Sequence, residues 1–231
     1  MGSMPRSLML WSAAGFAWLL AAPLLAQTPA THHHSFADAP RWARAFDDPA
    51  RDAWQKPHEV IMALKLAPDA IVADIGAGTG YFALRLAHAL PAGRVYGTDT
   101  EAQMVAYLDQ RAKQAGVQNI IAVRASSATG GTAGTAGATG LSEKVDLALL
   151  VNVYHHIDDR VAYFGKLREQ LKPGGRIAII DFHARSPVGP PVRERLSAAQ
   201  VRDEMRAAGF RVIEEPGFLP HQYFLIFGAG G

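Results

Sequence analysis

Apolar residues along this chain fall into short continuous runs separated by stretches with helical spacing. The runs at 70–73, 94–98, 119–123, 145–151 and 176–181 have the length and composition of strands. Between them apolar positions recur every three to four residues. Val60, Ile61, Leu64 and Leu66 follow Pro57, and Phe82, Leu84, Leu86 and Ala89 follow Tyr81. A stretch over 101–115 is closed by Gly116, and Val161, Phe164, Leu167 and Leu171 share one side of 158–171. That spacing predicts helices. Strands alternating with helices imply an α/β domain whose parallel sheet is built from right-handed crossovers. Apart from Asp146 near its start, the run 145–151 is apolar, which suits a central strand buried on both faces. Ser197 is placed to cap a helix reaching Met205, and runs at 210–214 and 222–227 complete the sheet, with a turn at Pro216-Gly217.

Three segments fall outside this alternation. Arg6 followed by an apolar stretch over 8–25, ending at Leu24-Leu25-Ala26 before Gln27, reads as a secretory signal peptide over 1–26. It makes the protein exported, as in a periplasm, or membrane-anchored if the segment stays uncleaved. The polar linker over 27–41 carries His32-His33-His34, which has the character of a mobile tail. The Gly/Thr/Ala-rich stretch over 126–142 has little to bury and is expected to be a mobile surface loop. Residues 42–66 are expected to form an N-terminal cap, with Trp42, Phe46 and Trp54 packing on the domain.

Composition narrows the function. Lys and Arg total 23 against 21 Asp and Glu, with both signs interspersed, so there is no basic footprint for nucleic acid. Cysteine is absent, which removes disulfides, thiolate metal sites and a lipidated N-terminal cysteine. His155, His156, Asp181 and His183 lie on neighbouring strand ends but lack the spacing of a metal motif, and no metal is assigned.

The chemistry begins where the first run ends. Asp74-Ile75-Gly76-Ala77-Gly78-Thr79-Gly80 places a carboxylate and three alternate glycines before the helix at Tyr81. Glycine there permits positive φ and a close approach of ligand to backbone, and the helix start offers free N–H groups. A dinucleotide fingerprint needs glycine where Tyr81 stands, which argues against a nicotinamide oxidoreductase. Nineteen residues after Gly80, the second run ends on Asp99, placed to accept ribose hydroxyls. A carboxylate suited to an ammonium group, together with a ribose acceptor, points to S-adenosyl-L-methionine.

With those residues, the chain resembles the class I S-adenosylmethionine-dependent methyltransferases over about residues 42–227. The resemblance also rests on the fourth run ending at Asn152, on Leu171-Lys172-Pro173-Gly174-Gly175 as the turn before the fifth, and on Ala208-Gly209-Phe210. It implies a single Rossmann-like, doubly wound domain with a seven-stranded, mostly parallel sheet and an antiparallel last strand. By resemblance, Asp74 lies near the methionine ammonium, while Gly76, Gly78 and Gly80 lie against methionine and ribose. Thr100 and Met104 pack on adenine, and Ser126 or Ser127 stands at the corner that reads the adenine amino group. Asn152 belongs to the cofactor side of Asn152-Val153-Tyr154-His155-His156, where DNA amino-methylating relatives carry Asn-Pro-Pro-aromatic. Val153 and Tyr154 in place of the prolines disfavour a nucleic-acid base and leave a small-molecule acceptor. His155, Tyr154 and Asp181 are the candidate catalytic residues, with His155 a candidate general base. A cysteine-dependent arsenic methyltransferase is excluded by composition. The competing function is a binding protein that keeps the pocket without turnover. Mass spectrometry of the protein from its native host should find a mature N-terminus near Gln27, and an intact N-terminus on the soluble protein would overturn export.

Overall fold

The computed structural model describes residues 38–126 and 139–230. The expected signal segment, the three histidines and most of the Gly/Thr/Ala stretch lie outside the described residues. Helices α1 (Ala39–Phe46), α2 (Asp52–Gln55) and α3 (Pro57–Ala63) precede the sheet. The order continues β1 (Ile71–Ile75), α4 (Tyr81–Ala89), β2 (Arg94–Asp99), α5 (Ala102–Gln114), β3 (Ile120–Arg124) and β4 (Val145–Val151). Then come α6 (Arg160–Leu167), β5 (Leu171–Phe182), α7 (Ala198–Ala207), β6 (Phe210–Glu214) and β7 (Gln222–Ala229).

All seven strands form one sheet in the order β3-β2-β1-β4-β5-β7-β6. Five are parallel neighbours, and β7 runs antiparallel between β5 and β6. Strand order reverses between β1 and β4, so the carboxyl ends of these two strands open a crevice where such sheets bind ligands. Alternate residues sort to opposite faces. Leu147, Leu149, Ala178 and Ile180 pack with Val60, Leu64, Phe82 and Leu86 of α3 and α4. Ala148, Leu150, Ile177 and Ile179 pack with Phe164, Leu167, Val201 and Met205 of α6 and α7. Burial of β4 on both faces accounts for its apolar sequence over 147–151.

Two elements differ from expectation. The helix predicted over 158–171 is shorter, because Asp159 adopts a left-handed conformation (φ 41°) at its start and Arg168–Gln170 tighten into a 3-10 turn. The turn expected at Leu171-Lys172-Pro173-Gly174-Gly175 is absorbed into β5. Leu171 pairs with Val145 and Arg176 with Leu147, so the extra residues form an irregularity inside the strand pair.

One side chain sets the spacing of the first βαβ unit. A Cβ on Gly80 would lie 2.4 Å from Leu108 Cδ1, and one on Gly97 would lie 2.3 Å from Leu108 Cδ2. Leu108 of α5 is thus seated in the notch left by two glycines, one in the turn and one in β2. Gly97→Ala is expected to destabilise the protein by about 1–3 kcal/mol through overpacking. Leu108→Ala alone should cost about 2–5 kcal/mol. The double variant should cost less than the sum, because the smaller side chain makes room for the added methyl. Strict additivity in urea unfolding would contradict this wedge.

Candidate functional site

The turn after β1 is held by its neighbours at the crevice. Gly76 and Ala77 donate their N–H groups to the Thr98 carbonyl at 2.8 and 2.9 Å. Asp99 accepts from the Gly78 N–H through Oδ2 and from the Glu101 N–H through Oδ1, both at 3.0 Å. Burial pushes the Asp99 carboxyl above its usual range, opposed by these N–H donors.

The positive φ expected of the glycines is present, and packing adds a further reason at two of them. All three have positive φ, at 69°, 54° and 89° for Gly76, Gly78 and Gly80. A Cβ on Gly76 would meet Val153 Cγ2 at 2.5 Å, and one on Gly80 would meet Leu108. Those two positions are glycine because protein side chains press on the turn from behind. Only Gly78 faces the opening, where a Cβ would reach ordinary contact at 3.6 Å with the Phe46 ring.

Asp74 is 3% exposed, and its Oδ2 has no hydrogen-bond partner. Its carboxylate takes an N–H from Ala83 in the first turn of α4, the positive end of that helix. Desolvation raises its pKa to about 7, against the opposing pull of Arg51 and the Ala83 N–H. Arg51 stands over this corner, its own pKa lowered to about 10 by burial despite the charges of Tyr81, Asp47 and Asp74. Its guanidinium lies 3.8 Å from the Tyr81 ring centroid and donates to the Phe46 carbonyl at 2.8 Å and to Gln55 Oε1 at 3.3 Å.

The predicted cap is present, and it closes on the turn. Asp47 accepts from Arg111 at 2.7 Å and from the Thr79 hydroxyl at 3.1 Å. Asp52 accepts from the Tyr81 hydroxyl and from Arg85. Trp42 stacks on Phe46 at 5.4 Å, while Trp54 sits 5.9 Å from Phe182 and 6.3 Å from His221 at the ends of β5 and β7.

Across the crevice, Asn152 leaves β4 with φ 61° and donates its N–H to the Ile180 carbonyl at 2.9 Å. Its Oδ1 accepts from Gln222, whose own Oε1 accepts from Gln55 of the cap. Both glutamines are buried. His155 follows in a 3-10 turn, with Nδ1 at 2.8 and 3.0 Å from the two oxygens of Asp181. Asp181 also accepts the Phe182 N–H at 2.8 Å. A carboxylate acceptor fixes the proton on Nδ1 and leaves Nε2 with its lone pair.

The structure does not bring Tyr154 to this pair, which corrects its place among the catalytic candidates. Its ring is fully buried and stacks on Phe164 at 5.2 Å. Its hydroxyl donates to Glu204 at 2.7 Å, and Glu204 in turn accepts from Arg160. Consecutive residues of a 3-10 turn diverge by about 120°, so Tyr154 enters the α6–α7 core while His155 turns to Asp181.

The remaining candidates surround the turn unevenly. Met104 is buried at the start of α5, whereas Thr100 and Ser126 are exposed. Ser126 follows Ala125, which donates to the Asp99 carbonyl at 2.9 Å. Ser127 lies outside the described residues. Sequence reading missed Arg51, Gln55 and Gln222 as site residues. The available signal was Gln222, a lone amide at the start of the otherwise apolar β7; Gln55, at the end of α2, had none.

A family model described as a methyltransferase domain matches residues 73–177. Among solved structures, a SAM-dependent methyltransferase from Aquifex aeolicus is similar at TM-score 0.73 and 22% identity, covering 82% of this chain and 98% of that one. Magnesium protoporphyrin IX methyltransferase from Synechocystis, solved with bound SAH, matches at TM-score 0.59 and 17% identity, over 83% of this chain and 93% of that one. The mitomycin 7-O-methyltransferase MmcR matches at TM-score 0.60 and 16% identity, over 82% of this chain and 60% of that one. These structures share the fold.

The buried Asp74 carboxyl makes stability depend on pH. Its folded pKa is raised from 3.8 to about 7, so the folded state holds a proton that the unfolded chain releases. Stability therefore falls as pH rises from about 4 through about 7. Asp74→Asn is expected to stabilise the ligand-free protein at pH 8, on the order of 4 kcal/mol, and to change little at pH 4. Urea unfolding at the two pH values checks this, and a variant less stable than wild type at pH 8 would refute it.

Proposed function

We propose that this chain is a class I S-adenosylmethionine-dependent methyltransferase, a reading supported by the methyltransferase-domain match over residues 73–177 and the shared fold, and that it transfers methyl to the hydroxyl of a small-molecule acceptor with His155 as general base. The observation that carries the reading is the His155–Asp181 pair, joined at 2.8 Å where β4 and β5 end beside the glycine turn.

The residues present fit the cofactor. Asp74 has a buried oxygen without a partner, matched to an ammonium group. Arg51, opposite in charge at the same corner, suits the carboxylate of the same amino-acid portion. Gly78 offers bare backbone at the opening, and Asp99, still partly exposed, has lone pairs left for ribose hydroxyls. Met104 would lie under the adenine, with Thr100 and Ser126 at its edge and Asn152 on the inner wall. When bound, the sulfonium supplies a methyl group that is already electrophilic.

What remains for the protein is alignment, exclusion of water and removal of one proton. Phe46, Trp54 and Phe182 provide apolar walls. His155 Nε2 takes the acceptor's hydroxyl proton, and Asp181 stabilises the resulting imidazolium through Nδ1–H. The near-balanced charge supports a small molecule over nucleic acid, and the apolar N-terminal stretch supports work outside the cytoplasm, in solution or tethered.

Calorimetry should detect S-adenosylhomocysteine binding to the full chain, weakened by about 1–3 kcal/mol in Asp99→Ala through loss of hydrogen bonds to the ribose. His155→Gln should keep that affinity and lower methyl transfer to phenolic acceptors by about 10²–10⁴-fold. Unchanged affinity in the first variant, or unchanged turnover in the second, would contradict the assignment of that residue.

A further inference from the structure

The end of β5 continues past the His155–Asp181 pair into a loop with no role in the reading above. A cavity of about 350 Å³ opens there, lined by His183, Ala184, Arg185, Ser186 and Pro220. The lining holds one guanidinium and one imidazole, and no carboxylate.

The loop is built around a different arginine. Arg195 donates to the carbonyls of His183, Ala184 and Ser186 through Nη1, of Val188 through Nη2 and of Pro190 through Nε, at 2.7–3.2 Å. Gly189 lies so close to the Phe182 ring that a Cβ would sit 2.7 Å from it. The loop is thereby pinned to the strand end by one cation, while the second cation stays free. Among the described residues Arg185 is exposed and has no ion-pair or hydrogen-bond partner. An unpaired guanidinium in a concavity whose lining holds no acid attracts an anion, and its fork matches a carboxylate.

Position gives this cavity its meaning. Asp181 and His183 are two residues apart on a strand and face the same side. An extended chain separates them by about 7 Å, roughly one aromatic ring. The ladder persists beyond β5, since the His183 N–H donates to the His221 carbonyl at 3.1 Å. The His183 ring meets Tyr223, the β7 partner of Asp181, edge-on at 5.9 Å. Phe182, between Asp181 and His183, points to the other face of the sheet, where it packs on Trp54.

We propose that this cavity is the subsite for the far end of the acceptor, and that the acceptor is a hydroxylated aromatic carboxylate. Its carboxylate is taken by Arg185, with His183 alongside, while its hydroxyl faces His155. The assignment rests on the methyl-transfer reading only for the placement of the hydroxyl.

The test is calorimetric and independent of turnover. The full chain, with and without S-adenosylhomocysteine, is titrated with 4-hydroxybenzoate, with its neutral isostere 4-hydroxybenzamide, and with phenyl phosphate. The carboxylate should bind at least about tenfold tighter than the amide, a difference of about 1.4 kcal/mol. Arg185→Gln should erase that preference and leave S-adenosylhomocysteine affinity unchanged, whereas Arg185→Lys should retain part of it. Equal binding of carboxylate and amide, absence of binding by both, or a preference that survives Arg185→Gln overturns the subsite. Stronger binding of phenyl phosphate overturns the carboxylate assignment. Absence of S-adenosylhomocysteine binding sinks the methyl-transfer reading instead, and the anion comparison on the ligand-free chain still decides the subsite.

Discussion

A carboxylate kept out of water at the tip of β1, with one oxygen unpaired, is the constraint around which this domain is arranged. Burying Asp74 is costly, and the structure offsets the cost only in part, through the first turn of α4 and the charge of Arg51. Arg51 is itself drawn from water and held over Tyr81. Two opposite, partly compensated charges in one corner are complementary to a zwitterion, which is what the proposed function assigns them. They also explain why the cap is bound so firmly to a turn that contributes little apolar surface of its own.

Much of the fold was legible because burial imposes periodicity. β4 occupies 145–151 as its apolar run indicated, since a strand covered on both faces is apolar over 147–151 and admits a carboxylate only at its start, where Asp146 is met by Lys172 and the Ile71 N–H. Gly116 and Ser197 mark helix ends by local backbone chemistry, and both do so here. The Leu171–Gly175 segment was misread because proline and two glycines suit both a free turn and an irregular strand pair, and only Val145 across the sheet decides between them.

The site was legible in its residue types and illegible in its contacts. The glycine spacing announced a tight turn, but Val153 and Leu108, which make glycine necessary at two of its positions, press on it through space. Tyr154 and His155 are neighbours in sequence whose side chains part within one 3-10 turn. Gln55 and Gln222 are 167 positions apart and meet only because the cap folds back over the strand ends. Such pairings have no local signature.

That amide chain has a thermodynamic corollary. From Arg51 through Gln55 and Gln222 to Asn152, polar groups join the cofactor corner to the reactive strand end through the cap. A ligand that tightens one end of this relay lowers the free energy needed to order the other, and reciprocity requires the same coupling in reverse. Under the proposed function, that relay would link the two halves of the reaction through a helix that touches neither the bond made nor the bond broken.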